Sequence, residues 1–526
     1  MRFLKISAWI AFGCVAVVAI NSVAGADESH IPDGVRYRSI KINEPQMFVD
    51  DYLVGNRYNE QYISARVAHV LHQGARLPTP VLTKDEDKPW ENRGIHRGSI
   101  LYDAYTDLFR MYYVIYHPKG DKSAYIKGYC MGHAVSKDGL HWEKPLLDIV
   151  PWGPQKKTNI ILRGQNEAKI MHVLSARADA VRPDGERIRN IGMLDPENLR
   201  GHRFMTYYGD SAHYLATSED GVHWEQRQQQ ILPNRVDCYQ TIVYDPAIGE
   251  YVIFYRNKII YDDGRGAWRK GNHRMITRLA SPELWTLWDS LPDTVLIPDG
   301  DDAGKFYGMP TFRYGGVYFG MLEQTHQQPH QIEVELVWSR DGFHWERAPG
   351  RPMLIPLGQE GAWDDGMVFA ADRVIERNDE WWLYYTGYDG YHDDTEAEGS
   401  LGLIKFRKEG FVSIRADARG QESYVITRPI LWPGGELVIN ADAKSLSKGW
   451  ISEGYVKVAV TDLHRKLYEG FTYDESVPFS GDAVRHTMKW KNAQMDALKG
   501  KLVRLEFALK HADLFAFLAH SESGAN

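Results

Sequence analysis

One heptapeptide occurs three times in this chain: Ser136-Lys137-Asp138-Gly139-Leu140-His141-Trp142, Ser218-Glu219-Asp220-Gly221-Val222-His223-Trp224 and Ser339-Arg340-Asp341-Gly342-Phe343-His344-Trp345. The Asp-Gly pair predicts a tight turn between two strands, with glycine at positive φ and the tryptophan packing back onto the sheet. Weaker copies stand at Ser281-Pro282-Glu283-Leu284-Trp285 and Arg407-Lys408-Glu409-Gly410-Phe411. The five starts, at 136, 218, 281, 339 and 407, leave 58 to 82 residues per unit, enough for one four-stranded sheet each.

An aromatic, β-favouring run precedes each turn: Leu108–Tyr113, Arg203–Tyr208, Glu250–Tyr255, Gly316–Met321 and Trp381–Tyr385. No helical periodicity persists. The expected fold is therefore all-β, a five-bladed β-propeller over residues 66–410. Residues 170–208 hold one strand-like run too many for the second unit. After residue 410 short strands alternate with Gly/Pro/Asp turns, as in Leu437–Asn440, Val456–Val460 and Leu502–Phe507, which predicts a C-terminal β-sandwich over 411–526. Residues 27–65 are expected to latch the ring or to bridge to the sandwich.

Residues 1–26 read as a secretory signal, with Arg2 and Lys5 ahead of an apolar run and Ala24-Gly25-Ala26 as the cleavage site. The expected location is the periplasm or the extracellular medium, and no membrane contact is expected after cleavage. Losing Arg2 and Lys5 takes the formal charge from −8 to about −10. That balance argues against a nucleic-acid partner, which needs a Lys/Arg surplus. Cys130 and Cys238 either pair or stay as buried thiols. Nothing in the composition sets an oligomeric state.

Five units with Ser-x-Asp-Gly-x-x-Trp turns ahead of a β-rich tail resemble the five-bladed propeller glycosidases, glycoside hydrolase families 32, 43, 68 and relatives. The resemblance spans about residues 66–410. It implies carboxylates around the propeller axis, acting as base or nucleophile, acid and helper. Asp237, where the third unit's first strand is expected to start, and Asp364-Asp365, at the same place in the fifth, match in position. Glu91 is the acid nearest the first unit's entrance, and Glu323 ends a second strand. The Asp-Pro expected in the first unit is replaced by Gly94-Ile95-His96-Arg97-Gly98. The fourth unit reads Tyr307-Gly308-Met309-Pro310, without the usual acid.

Glycosidic cleavage needs a proton donor and a base or nucleophile flanking the bond. The candidates are Asp237 as base or nucleophile, with Glu91, Glu323 or Asp365 as donor. The bland alternatives are backbone acceptors for Asp237, a plain turn for Asp365-Gly366 and a solvated loop for Glu91. Trp90, Trp363 and Tyr388, in loops or strand entrances, are candidates for stacking on a sugar, as are His96, His326, His392 and Asp364 for hydroxyl recognition. Arg97 and Arg256 suit an anionic sugar group, or else surface or inter-blade pairing. No residues show metal-ligand spacing, so no metal or cofactor is expected, and structural calcium is not readable at this level. The expected function is a secreted glycoside hydrolase acting on a plant or algal polysaccharide or oligosaccharide. A non-catalytic glycan-binding propeller and a glycoside phosphorylase are the alternatives.

Overall fold

The computed structural model describes residues 35–59, 67–117, 125–126, 128–163, 169–175, 179–194, 196–209, 213–232, 241–262, 268–302, 304–327, 329–394, 396–416, 420–444 and 453–522. The signal segment, Asp237 and Cys238 lie outside them. The described chain is all-β, with only short single turns of 3₁₀ helix.

The three full heptapeptides close identically. Gly139, Gly221 and Gly342 each have φ of 75°, and each donates its N–H to the serine Oγ at 2.9 Å. In the first, Asp138 Oδ1 accepts from the amides of Leu140 and His141 at 2.8 Å, while Oδ2 meets His141 Nδ1 at 2.7 Å. The same set recurs around Asp220 and Asp341. Burial pushes these carboxyls up, but the histidine ring and the amides outweigh it and hold all three below the ordinary carboxylate range.

Each turn then docks on the aromatic strand of another unit. Trp142 meets Tyr384 edge-on with centroids 6.1 Å apart, Trp224 meets Tyr112 at 6.0 Å, and Trp345 meets Phe254 at 5.2 Å. In the degenerate copies Phe411 meets Phe319 at 5.7 Å, and Trp285 shares a core with Tyr207 while its indole N–H donates to the Asn198 carbonyl. Turn one thus sits on unit five, turn two on unit one, turn three on unit two, turn four on unit three and turn five on unit four.

The sheets follow the same order. Strands 96–103, 108–117, 128–136 and 160–163 form one antiparallel sheet, with 142–143 attached. Strands 169–175, 204–209, 213–218 and 225–232 form a second, and 241–245, 250–262, 268–281 and 293–296 a third. The fourth and fifth units, 304–355 and 367–407, belong to one twelve-stranded sheet, joined at Ile332 and Met367. The first strands of successive units are neighbours in chain order, and the fifth unit's strand lies beside the first unit's. Side chains tie them. Thr241 Oγ1 accepts from the Thr311 amide at 2.8 Å. Ser99 Oγ donates to Asp372 Oδ2 at 2.6 Å and accepts from the Val173 amide at 3.1 Å.

The surplus run of the second unit has a definite place. Asp179–Val181 and Arg187–Asn190 form a hairpin that leaves its own sheet and pairs Ile188 with Arg377 and Asn190 with Ile375 of the fifth unit. The N-terminal segment is distributed too. Arg38–Ser39, Gln46–Met47, Val54–Asn59 and Ala68–Leu71 add strands to two six-stranded sheets otherwise built after residue 411. Those sheets share one apolar core, with Phe48, Phe507 and Phe517 in mutual ring contact. Ala75–Arg76 crosses to pair with Ile404–Lys405, and Asp50 binds Arg340 of the fourth turn, so this segment touches both regions. Cys130 is a buried thiol, pushed up to about 12 by burial.

Candidate active site at the strand entrances

Two β-bulges shape the site. In the first unit His96 pairs with Val114 and Gly98 with Tyr113, so Arg97 is the extra residue. In the fourth, Phe306 pairs with Gln324 and Gly308 with Glu323, leaving Tyr307 as the extra residue. A bulge bends its strand and re-aims one side chain. Gly98 and Gly308 follow directly. A Cβ on Gly98 would stand 3.0 Å from Met111 Cε and from the Tyr112 carbonyl oxygen, tighter than most packed contacts.

The side chains displaced at these two bulges meet each other, and Arg97 reaches on to Glu323. Arg97 Nη2 donates to Glu323 Oε2 at 2.7 Å. The Arg97 guanidinium lies 4.0 Å from the Phe369 ring centre and 5.0 Å from that of Tyr307, held by cation–π contact on both. Glu323 has no exposed surface, and its Oε1 has no hydrogen-bond partner among the described residues. Burial pushes its carboxyl up, and the positive charges of Arg97 and Arg256 only partly oppose this. A buried carboxyl of this kind holds its proton to higher pH than a solvated one, which suits a proton donor.

Around this pair stand His96, whose Nδ1 lies 2.6 Å from Tyr388 Oη, and Tyr388, packed edge-on against Phe369 at 5.6 Å. The Arg256 and Arg274 guanidiniums lie 4.5 and 5.4 Å from the Tyr307 ring centre. His392 Nε2 meets Tyr307 Oη at 3.1 Å, and its Nδ1 meets Asp393, which also binds His330. Burial lowers the His392 pKa against the pull of Asp393, and the charges of Arg274 and Arg256 add to the lowering. Of the residues singled out in the sequence, Glu323, His96, Arg97, Arg256, Tyr388 and His392 therefore share one place. Tyr307, Phe369 and Arg274 join them without having been foreseen. The signal for Tyr307 was a residue followed by glycine at a strand start, the same pattern as Arg97-Gly98.

The other candidates sit in networks of their own. Glu91 is fully buried; it accepts from Tyr113 Oη through Oε1 and from Lys144 Nζ at 2.6 Å through Oε2. Trp90 is 2% exposed and donates its indole N–H to Asn159 Oδ1 at 2.7 Å. Its ring is part of the first unit's core rather than an open platform. Asp364 accepts from Tyr385 Oη at 2.7 Å and Arg76 Nη1 at 3.0 Å. Trp363 stacks on Tyr385 with centroids 5.5 Å apart. Asp365 Oδ2 caps the Gly361 amide at 2.7 Å, and the Gly366 amide donates to the Tyr388 carbonyl. That is a turn contact, with Asp365 partly exposed. His326 Nε2 binds Glu333 Oε2 at 2.9 Å.

Comparison with known proteins gives only distant structural similarity. No protein-family model matches the chain, and no curated protein matches it. Among solved structures, a β-1,2-mannobiose phosphorylase from Listeria innocua is 13% identical with a TM-score of 0.42, covering 64% of this chain and 97% of its own. A protein described as a glycoside hydrolase is 14% identical with a TM-score of 0.40, over 64% and 92%. A thermostable family-43 glycoside hydrolase is 13% identical with a TM-score of 0.37, over 60% and 89%. Values this low assign neither activity nor substrate to this chain.

Proposed function

We propose that the protein is a glycoside hydrolase whose proton donor is Glu323. The supporting observation is the fully buried Glu323 carboxyl, anchored through Oε2 by Arg97 and with Oε1 unpartnered among the described residues. Protonated, Oε1 carries the hydrogen that a departing glycosidic oxygen needs, while the bond from Arg97 fixes the carboxyl's orientation. The partner carboxylate in this reading is Asp237. It lies four residues ahead of the third unit's first strand, the strand whose Thr241 is tied to Thr311 of the fourth unit. It would activate water or attack the anomeric carbon. The order of neighbouring first strands and the unit-to-unit docking of turns support a five-bladed propeller around this site, and the shared core of the two C-terminal sheets supports a β-sandwich.

The substrate class in this reading is a plant or algal polysaccharide or its fragments, met outside the cytoplasm after cleavage of residues 1–26. The decisive experiment is a reducing-end assay of the secreted chain and of Glu323→Gln on a panel of such oligosaccharides. Wild-type release of reducing ends, reduced about 10²–10⁴-fold in Glu323→Gln, is the expected result. Full activity in Glu323→Gln would remove Glu323 from the reaction. Binding without product release in the wild type would make the protein a glycan-binding module.

A further inference from the structure

We propose that the site takes an acidic sugar, whose carboxylate or sulfate group is bound beside Tyr307 by Arg97, Arg256 and Arg274. The inference rests on the glycan reading above and specifies its substrate. Three guanidiniums from two units gather within 5.4 Å of one phenol ring. Arg256 is 5% exposed and stands on the second strand of the third unit; Arg274 stands on the third strand, and Arg97 in the first unit's bulge. Gathering guanidiniums costs mutual repulsion and desolvation, which an anionic ligand offsets. The overall charge of the chain is −8, so this concentration of cations is not a background property.

Carboxylates near the cluster include Glu323 and, at the rim, Asp393. Glu323 is the proton donor in the reading above and is neutral when poised to act. Asp393 is bound to both His330 and His392. The guanidinium fork presents parallel N–H donors that match the oxygens of a carboxylate or sulfate, a geometry that lysine lacks. Tyr307 Oη, held by His392 Nε2 at 3.1 Å, adds a hydroxyl at the same place.

The test is equilibrium binding of uronate and O-sulfated oligosaccharides to the full chain, each paired with its methyl-esterified or desulfated counterpart. The expected result is at least tenfold tighter binding of a charged member than of its neutral partner. That margin should collapse in Arg274→Gln and in Arg256→Gln, with circular dichroism and melting temperature confirming the fold. Arg274 is only partly buried, so its variant keeps the test valid if Arg256→Gln fails to fold. Equal binding of charged and neutral members, or no binding of any charged member, overturns the proposal. So does turnover that requires inorganic phosphate and is unaffected by the sugar's charge, because the arginines would then serve a free oxyanion. Glu323→Gln separates the two readings. Retained charge-selective binding without turnover supports the subsite and leaves catalysis in place. Charge-selective binding with undiminished turnover supports the subsite and removes Glu323 as donor.

Discussion

The repeated turns and the strand-entrance cluster are built from the same residue types, an acid, a histidine and aromatic rings, with opposite results. At Asp138 each carboxylate oxygen has a local partner within three residues, and the group is held below the ordinary range. At Glu323 one oxygen is bound by a distant arginine and the other by nothing among the described residues, and burial holds the group above that range. A closed local network stabilises one conformation. An open buried carboxyl is costly to the fold and persists where chemistry uses it. The difference between the two regions lies in whether each carboxylate oxygen has a partner close by in the chain.

The largest effect expected from this contrast is on activity. Removing Glu323 by Gln should cost about 10²–10⁴-fold in turnover with little loss of stability, because a neutral amide suits the buried site. Asp138→Asn should do the reverse, leaving kcat/KM within a few-fold while lowering the melting temperature. Parallel assays and thermal melts of both variants break the comparison if their effects coincide.

Glycine substitutions sharpen it next. All three turn glycines share one φ, so alanine strains each backbone by about 1 kcal/mol. Their surroundings differ. A Cβ on Gly139 or Gly221 would lie 2.5 Å from Tyr384 Oη or Tyr112 Oη, whereas on Gly342 the nearest atom is Phe254 at 3.4 Å. Gly139→Ala and Gly221→Ala should therefore destabilise by about 2–4 kcal/mol and Gly342→Ala by about 1, read from chemical denaturation. Equal losses at all three would mean that the turns do not dock as tightly as the rings suggest.

The same distinction explains what could be read from the amino-acid order. The hydrogen bonds that close the turn around Asp138 and Gly139 run among Ser136, Asp138, Gly139, Leu140 and His141, so their spacing carries the turn, and its recurrence carries the five units. The hairpin at 179–190 was visible as a surplus strand, yet its partner, 375–377, is nearly 200 residues away. The cluster needed still more. Glu323 was recognisable as an acid ending a strand, but its meeting with Arg97 depends on two bulges in separate units. Phe369 and Arg274 carry no local mark at all. Trp90 shows the reverse: a large ring at a strand entrance suggests a sugar platform, whereas its indole is almost fully buried and hydrogen bonded to Asn159.

A pH profile places the two acids on opposite sides of their ordinary values. The Glu323 pKa is raised, so if Glu323 is the donor proposed above, activity should fall as pH rises through that raised value. Arg97 works against the raising effect of burial. Arg97→Met should move the alkaline limb of kcat further up, while turnover below the limb drops from loss of orientation. A limb that stays in place, or moves down, would separate the limb from Glu323.

The smallest effect belongs to the turns under acid. Asp138, Asp220 and Asp341 have depressed folded-state values, so their contribution to stability is complete above about pH 4, the unfolded carboxylate value, and is lost as pH falls through the folded ones. These side chains are 44%, 51% and 50% exposed, so solvent screens each contribution and the loss per turn is small. His344 is raised by the same bond to Asp341, so its part of the interaction is complete below its unfolded value and is lost as pH rises through the raised one. Asp341→Asn should therefore flatten the acid side of the melting-temperature profile slightly and reduce its fall as pH rises past the unfolded histidine value. If that profile keeps the wild-type shape in a triple variant with all three aspartates replaced by Asn, the acid sensitivity of the fold has its source outside the turns.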